Sequence, residues 1–176
     1  GLQVPPTLMG VLQARIDGLP AAERTALQWA AVVGRVFWDE ALRYIVEHGE
    51  TPGAVAPLTQ EPLAQSLESL RYHEMIFHRE VSTFAETQEY IFKHAVLREV
   101  AYESVLKRAR RAYHALAAEW LIDSSRDNGG EYAGLIAEHL ERAGDEEQAR
   151  VYLLRAAQAA AARYAQMETV TYTTRA

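Results

Sequence analysis

Leu8, Val11, Leu12 and Ile16 stand three, one and four residues apart, the spacing of one helical face. Pro5-Pro6-Thr7 precedes them and Gly18-Leu19-Pro20 closes the run. A second helix is expected from Ala21, with Leu27, Ala30, Ala31 and Val33 on its apolar side and Gly34 as its stop. Ala41, Leu42, Ile45 and Val46 predict a third over Phe37 to Val46, followed by a loop marked by Pro52, Gly53 and Pro57. Leu63, Leu67 and Leu70 line a fourth, whose first turn accepts Pro62. The period then shortens. Met75-Ile76-Phe77 and Tyr90-Ile91-Phe92 are β-prone runs around the polar stretch Ser82 to Glu89, and they predict a two-stranded hairpin.

Beyond the hairpin, Val96, Leu97, Val100, Ala101, Val105, Tyr113, Leu116, Ala117 and Trp120 keep a helical period with no Gly or Pro between them. One long helix, or two end to end, is expected over about 95 to 122. Asp127-Asn128-Gly129-Gly130 is a strong turn signal. Leu135, Ile136, Leu140 and Ala143 then form one apolar face, Gly144-Asp145 breaks it, and Ala149, Leu153, Ala156, Ala157 and Ala160 resume it. A helix, a short Gly-containing turn and an alanine-lined second helix resemble a tetratricopeptide (TPR) unit, which needs neighbours to bury its faces. The expected fold is therefore mainly α. A winged-helix-like module with a small β-hairpin over 1–94 leads through a linking helix or helices at 95–126 into TPR-like helical repeats at 127–176. The chain starts at Gly1 and still reads as helix from Met167 to Arg175, so both ends are expected to be cuts within a longer chain.

Composition narrows the chemistry. A net charge of -6 favours neither nucleic acid nor an anionic membrane as the main partner. With no cysteine there is no disulfide, thiolate metal site or cysteine nucleophile. No apolar run reaches the roughly 18 residues of a spanning helix, and a cytoplasmic location is expected.

Neither G-x-x-x-x-G-K-[ST], G-x-G-x-x-G nor G-x-S-x-G occurs, so catalysis by this chain alone is not expected. His73 and His78 bracket a glutamate as in a zinc-protease helix. They are five residues apart rather than four, which splays them, and no metal site is assigned. Lys107, Arg108, Arg110 and Arg111 form a basic cluster that suits a partner surface or a solvated helix face. Trp29, Trp38 and Trp120 sit at apolar positions and are expected in the core. His94, between the second strand and the next helix, suits either a structural residue or a ligand contact.

The run Tyr90-Ile-Phe-Lys-His94-Ala-Val-Leu-Arg-Glu-Val-Ala-Tyr-Glu-Ser-Val-Leu106 resembles the STAND class of signalling P-loop ATPases. The bacterial members in question are joined to an adenylate/guanylate cyclase or a transcription-regulator domain. Pro5 to Pro20, Ala30 to Phe37 and Ile136 to Asp145 are similar to stretches that follow the ATPase core and open the repeat array there. The resemblance implies a winged helix that closes over nucleotide on the ATPase core, and repeats that sense an inducer. It places a histidine after the wing, here His94, against the ADP diphosphate. Where that family has an aspartate next, this chain has Ala95. The implied cofactors are ADP or ATP with Mg in the parent protein and none in this chain. The implied partners are the ATPase core of the same chain and a protein or small-molecule inducer. Two rivals stand beside this reading: a DNA-binding winged-helix regulator, and a helical protein-interaction scaffold with no nucleotide role.

Overall fold

The computed structural model describes residues 6–49, 60–126 and 130–175. The loop expected at Pro52, Gly53 and Pro57 and the turn residues Asp127, Asn128 and Gly129 lie outside them. The apolar spacing from Leu8 builds α1 (Pro6–Asp17), which buries Leu12 and Ile16 and leaves Leu8 and Val11 exposed. Next comes α2 (Ala21–Val33), the central helix of the first half. Its last turns, Trp29 to Val33, are buried on every side. A helix apolar all round belongs in the middle of a core, and α2 packs against α3, α4, α5 and α6.

The helix expected from Phe37 does not begin there. Val36–Trp38 is a strand, β1, and α3 (Asp39–His48) starts only after it. Asp39 marks the change, because its Oδ1 accepts the amide of Gln88 at 2.8 Å and ties the start of α3 to the strand opposite. After α4 (Gln60–Tyr72), β2 (Ile76–His78) and β3 (Glu89–Phe92) form the expected hairpin. The sheet nevertheless has three strands, not two. It is antiparallel in the order β1-β3-β2, with Phe37 opposite Tyr90 and Phe77 opposite Ile91. Its inner face stacks Phe37 on Tyr90, ring centroids 5.5 Å apart, and sets Phe37 against Phe92 at 5.6 Å.

The connection between β2 and β3 is pinned from inside. Glu89, only 1% exposed, accepts the Trp38 indole N–H at 3.1 Å, the Thr83 amide at 2.9 Å and the Thr83 hydroxyl at 2.6 Å, and pairs with Arg79. Burial alone would raise its carboxyl pKa. The Thr83 and Trp38 donors with the Arg79 charge outweigh that and hold it below the usual range.

Residues 95–124 make two helices, α5 (Ala95–Glu103) and α6 (Lys107–Ser124). Side chains cap the end of α5: the Ser104 hydroxyl donates to Ala101 O at 2.6 Å, and Arg110 reaches Glu103 O and Val105 O at 2.8 and 2.7 Å. These bonds stop the helix where no Gly or Pro does. Both helices pack on the first half, and one buried cluster runs from Leu12 through Trp29, Trp38 and Trp120 to Ala149.

The last two helices form the expected helical hairpin, α7 (Ala133–Ala143) and α8 (Glu146–Arg175). Gly144 between them has φ 87°, the left-handed conformation that glycine adopts without penalty, and Asp145 Oδ1 accepts the Gln148 amide at 3.0 Å to open α8. A Cβ on Gly144 would also lie 2.6 Å from an Arg111 guanidinium nitrogen. Gly144→Ala is therefore expected to cost about 1 kcal/mol, a fall of roughly 3 °C in Tm, read from thermal melts of the two proteins. Among the described residues no helix is long and apolar enough to cross a membrane.

Candidate functional site

The residues that the sequence singles out do not gather in one place. His94 is extended, at φ -131° and ψ 135°, immediately before α5. Its ring is exposed and makes no hydrogen bond or ion pair among the described residues, so it is not a core histidine. The basic cluster divides. Arg110 turns inward to cap α5, pairs with Glu103 at 2.9 Å and stands 4.5 Å from the Tyr102 ring centroid. Arg111 lies against Gly144, and only Lys107 and Arg108 remain as simple exposed cations. A helix carries successive residues about 100° apart, so four basic residues within five positions point to different sides. His73 follows α4 and His78 lies in β2, so the two do not share a helix.

The structure instead assembles a polar centre that the sequence did not advertise, where α2, α5, α6 and α7 meet. The end of α2 leaves carbonyls without helical partners. Gly34 N–H takes Ala30 O at 3.0 Å, Arg98 Nε donates to Ala31 O at 2.8 Å, and His139 Nε2 lies 3.1 Å from Val33 O. His139 Nδ1 is 2.8 Å from His114 Nδ1, and His114 Nε2 is 3.0 Å from the Tyr102 hydroxyl. His114 and His139 are 1% and 3% exposed.

Burial is the main reason that both imidazoles stay neutral. It lowers His114 to about 3, helped by His139 and by the charges of Arg142, Arg98 and Arg110. It lowers His139 to about 4 against the opposing effect of the Val33 bond, with Arg142 and Arg98 adding to the lowering.

Neutrality fixes the direction of every bond in the chain. A carbonyl only accepts, so His139 carries its proton on Nε2 and offers a bare Nδ1. His114 must then donate from Nδ1, which leaves its Nε2 to accept the Tyr102 hydroxyl proton. Tyr102, His114, His139 and Val33 thus form one directed relay from α5 through α6 and α7 to the end of α2. Arg98, Arg110 and Arg142 surround the Tyr102 ring at 5.0, 4.5 and 5.8 Å from its centroid.

The arrangement can couple the sheet-bearing half of the molecule to the helical hairpin, because His139 is the buried polar tie between them. His139 follows Ile136 by three residues and so falls within the apolar stripe of α7, a readable signal. His114 sits behind Lys107 to Arg111, and that polar run hides it. Comparison with protein-family models, with curated proteins and with solved structures finds no match to this chain.

Proposed function

We propose that this chain is the regulatory arm of a multidomain signalling ATPase, with the first half acting as a nucleotide-state lid and the helical hairpin as the start of a partner-sensing array. The observation that supports the reading is the element order α2-β1-α3-α4-β2-β3 with strand order β1-β3-β2, which is compatible with a winged helix whose wing is the connection 79–88. The exposed, unbonded His94 at the end of that module supports the lid role. An imidazole free of internal partners is available to donate to a diphosphate oxygen on a neighbouring ATPase core. The chain carries no phosphate-binding loop motif of its own, so the imidazole would act beside the phosphate-binding groups of the ATPase core.

The DNA-binding alternative draws less support from α4, the helix that would enter a groove. Its exposed Arg71 is paired with Glu68 at 2.7 Å, and Glu74 follows.

A charge-assisted bond from His94 to a diphosphate is worth roughly 1.5 to 3 kcal/mol. In a chain that carries the ATPase core, His94→Ala is expected to speed ADP release about thirtyfold, the equivalent of about 2 kcal/mol. Stopped-flow release of a fluorescent ADP measures the effect, and a melt of the present chain should be unchanged. An unaltered off-rate would remove His94 from the nucleotide site.

A further inference from the structure

We propose that the cleft beside the histidine pair, lined by Arg35, Arg98 and Arg142, binds a small phosphate dianion. This site lies at the joint between the two halves and is separate from any contact made by His94. It does not depend on an ATPase core.

The cleft holds about 160 Å³ and is bounded by Gly34, Arg35, Arg98, Glu138, His139 and Arg142 among others. That is the space of about five waters, enough for one phosphate group and too little for a nucleoside. Its charge is out of keeping with the rest of the protein, whose net charge is -6. Arg142 is paired with Glu138 at 2.6 Å, whereas Arg35 and Arg98 make no salt bridge among the described residues, although Glu138 and Glu99 act on Arg98 at longer range. Arg98 is held in place by its Nε bond to Ala31 O and by the Tyr102 ring, a fixed guanidinium rather than a wandering one. Burial and then the neighbouring Arg142 work against its charge, more than Tyr102, Glu138 and Glu99 favour it.

Three arginines thus line the cleft with one carboxylate, Glu138, while Glu99 acts on Arg98 from beside it. The carbonyl end of α2 adds about half a negative charge, which leaves a small positive surplus at a concave place. A surplus of this kind is costly when empty and is relieved by an anion. The planar fork of arginine matches a phosphate in particular, which accepts two parallel N–H bonds from each guanidinium. His139 does not contribute a proton, since its Nε2–H is committed to Val33 O.

The test is thermal melting of the whole chain in low-millimolar inorganic phosphate against chloride at equal ionic strength, a range below that at which phosphate stabilises proteins in general. Phosphate at a hundredfold excess over its Kd is expected to raise Tm by about 8 °C. Arg35→Gln removes an exposed side chain with no internal bond, so it should melt normally in chloride and bind phosphate at least about tenfold more weakly. Glu138→Gln should act the other way and tighten binding severalfold by freeing Arg142. Glycerol 3-phosphate distinguishes the source: an equal shift identifies the terminal phosphate of an ester as the ligand, and no shift identifies the free ion. Equal melting in phosphate and chloride would overturn the site, as would an undiminished phosphate shift in Arg35→Gln or weaker binding in Glu138→Gln.

Discussion

Replacing His139 by alanine is expected to lower the unfolding free energy by about 3 to 5 kcal/mol. The change opens a cavity between α6 and α7. It leaves Val33 O without its donor and the His114 Nδ1–H without its acceptor, and each orphaned buried group costs about 1 to 3 kcal/mol. Urea titration at neutral pH measures the loss, and Tm should fall by roughly 10 °C. The companion variant is the more telling. Changing both His114 and His139 to apolar residues, His114→Phe with His139→Leu, removes both partners of the central bond and refills the cavity but still leaves Val33 O without a donor and the Tyr102 hydroxyl without an acceptor, so it should recover only the cavity part of the loss. A double variant no better than His139→Ala would mean that the orphaned Val33 carbonyl and Tyr102 hydroxyl, not the cavity, govern the loss.

Acid should act on the same two residues. Both imidazoles have folded pKa values, about 3 and about 4, well below their ordinary 6.5. The unfolded chain therefore binds the extra protons first as pH falls. Stability is complete above pH 6.5 and is lost progressively below it, until the folded pKa values are reached. Each histidine contributes a slope approaching 1.4 kcal/mol per pH unit, so about 3 kcal/mol should disappear between pH 6.5 and pH 5. Glu89, held low, titrates below that window, and Glu40, which burial raises, acts in the opposite sense. The check is urea unfolding at pH 7, 6 and 5. The decline should be steep in the unsubstituted protein and nearly flat in the His114→Phe, His139→Leu double variant. A decline of equal steepness in both would assign the acid sensitivity to other groups.

The helices were legible because their apolar positions repeat over many turns. α1, α2, α4 and the α7–α8 pair fall where Leu8 to Ile16, Leu27 to Val33, Leu63 to Leu70 and Leu135 to Ala160 place them. β1 was not legible. Three residues are too few to show an alternation, and Val36-Phe37-Trp38 becomes a strand only through its pairing with Glu89, Tyr90 and Ile91 about fifty residues later. The break between α5 and α6 was hidden for a related reason, since the groups that end α5 are side chains from beyond the break, Ser104 and Arg110. Of the candidate site residues, His94 stands where its place in the sequence puts it, between β3 and α5, with an exposed ring. The basic run misled because charge was counted without regard to the turn of the helix, and Arg110 proved to be an internal cap. His114 and His139 lie twenty-five residues apart, and only the antiparallel return of α7 along α6 brings them together.

The bond from His139 to Val33 joins residues 106 positions apart. It therefore closes a long loop of chain, and the entropy of that closure is lost before the bond returns anything. Contacts of this range form late and open early. The α7–α8 hairpin, held to the rest by α6, by this buried bond, by the packing of Tyr132 on Trp38 and Phe84 and by Arg142 over Tyr102, is the unit expected to come away first in sub-global opening, while α2 and its surroundings stay folded. Whatever stabilises or strains the relay then sets how often the hairpin lifts, and the molecule's two halves are joined by an equilibrium rather than by a fixed hinge.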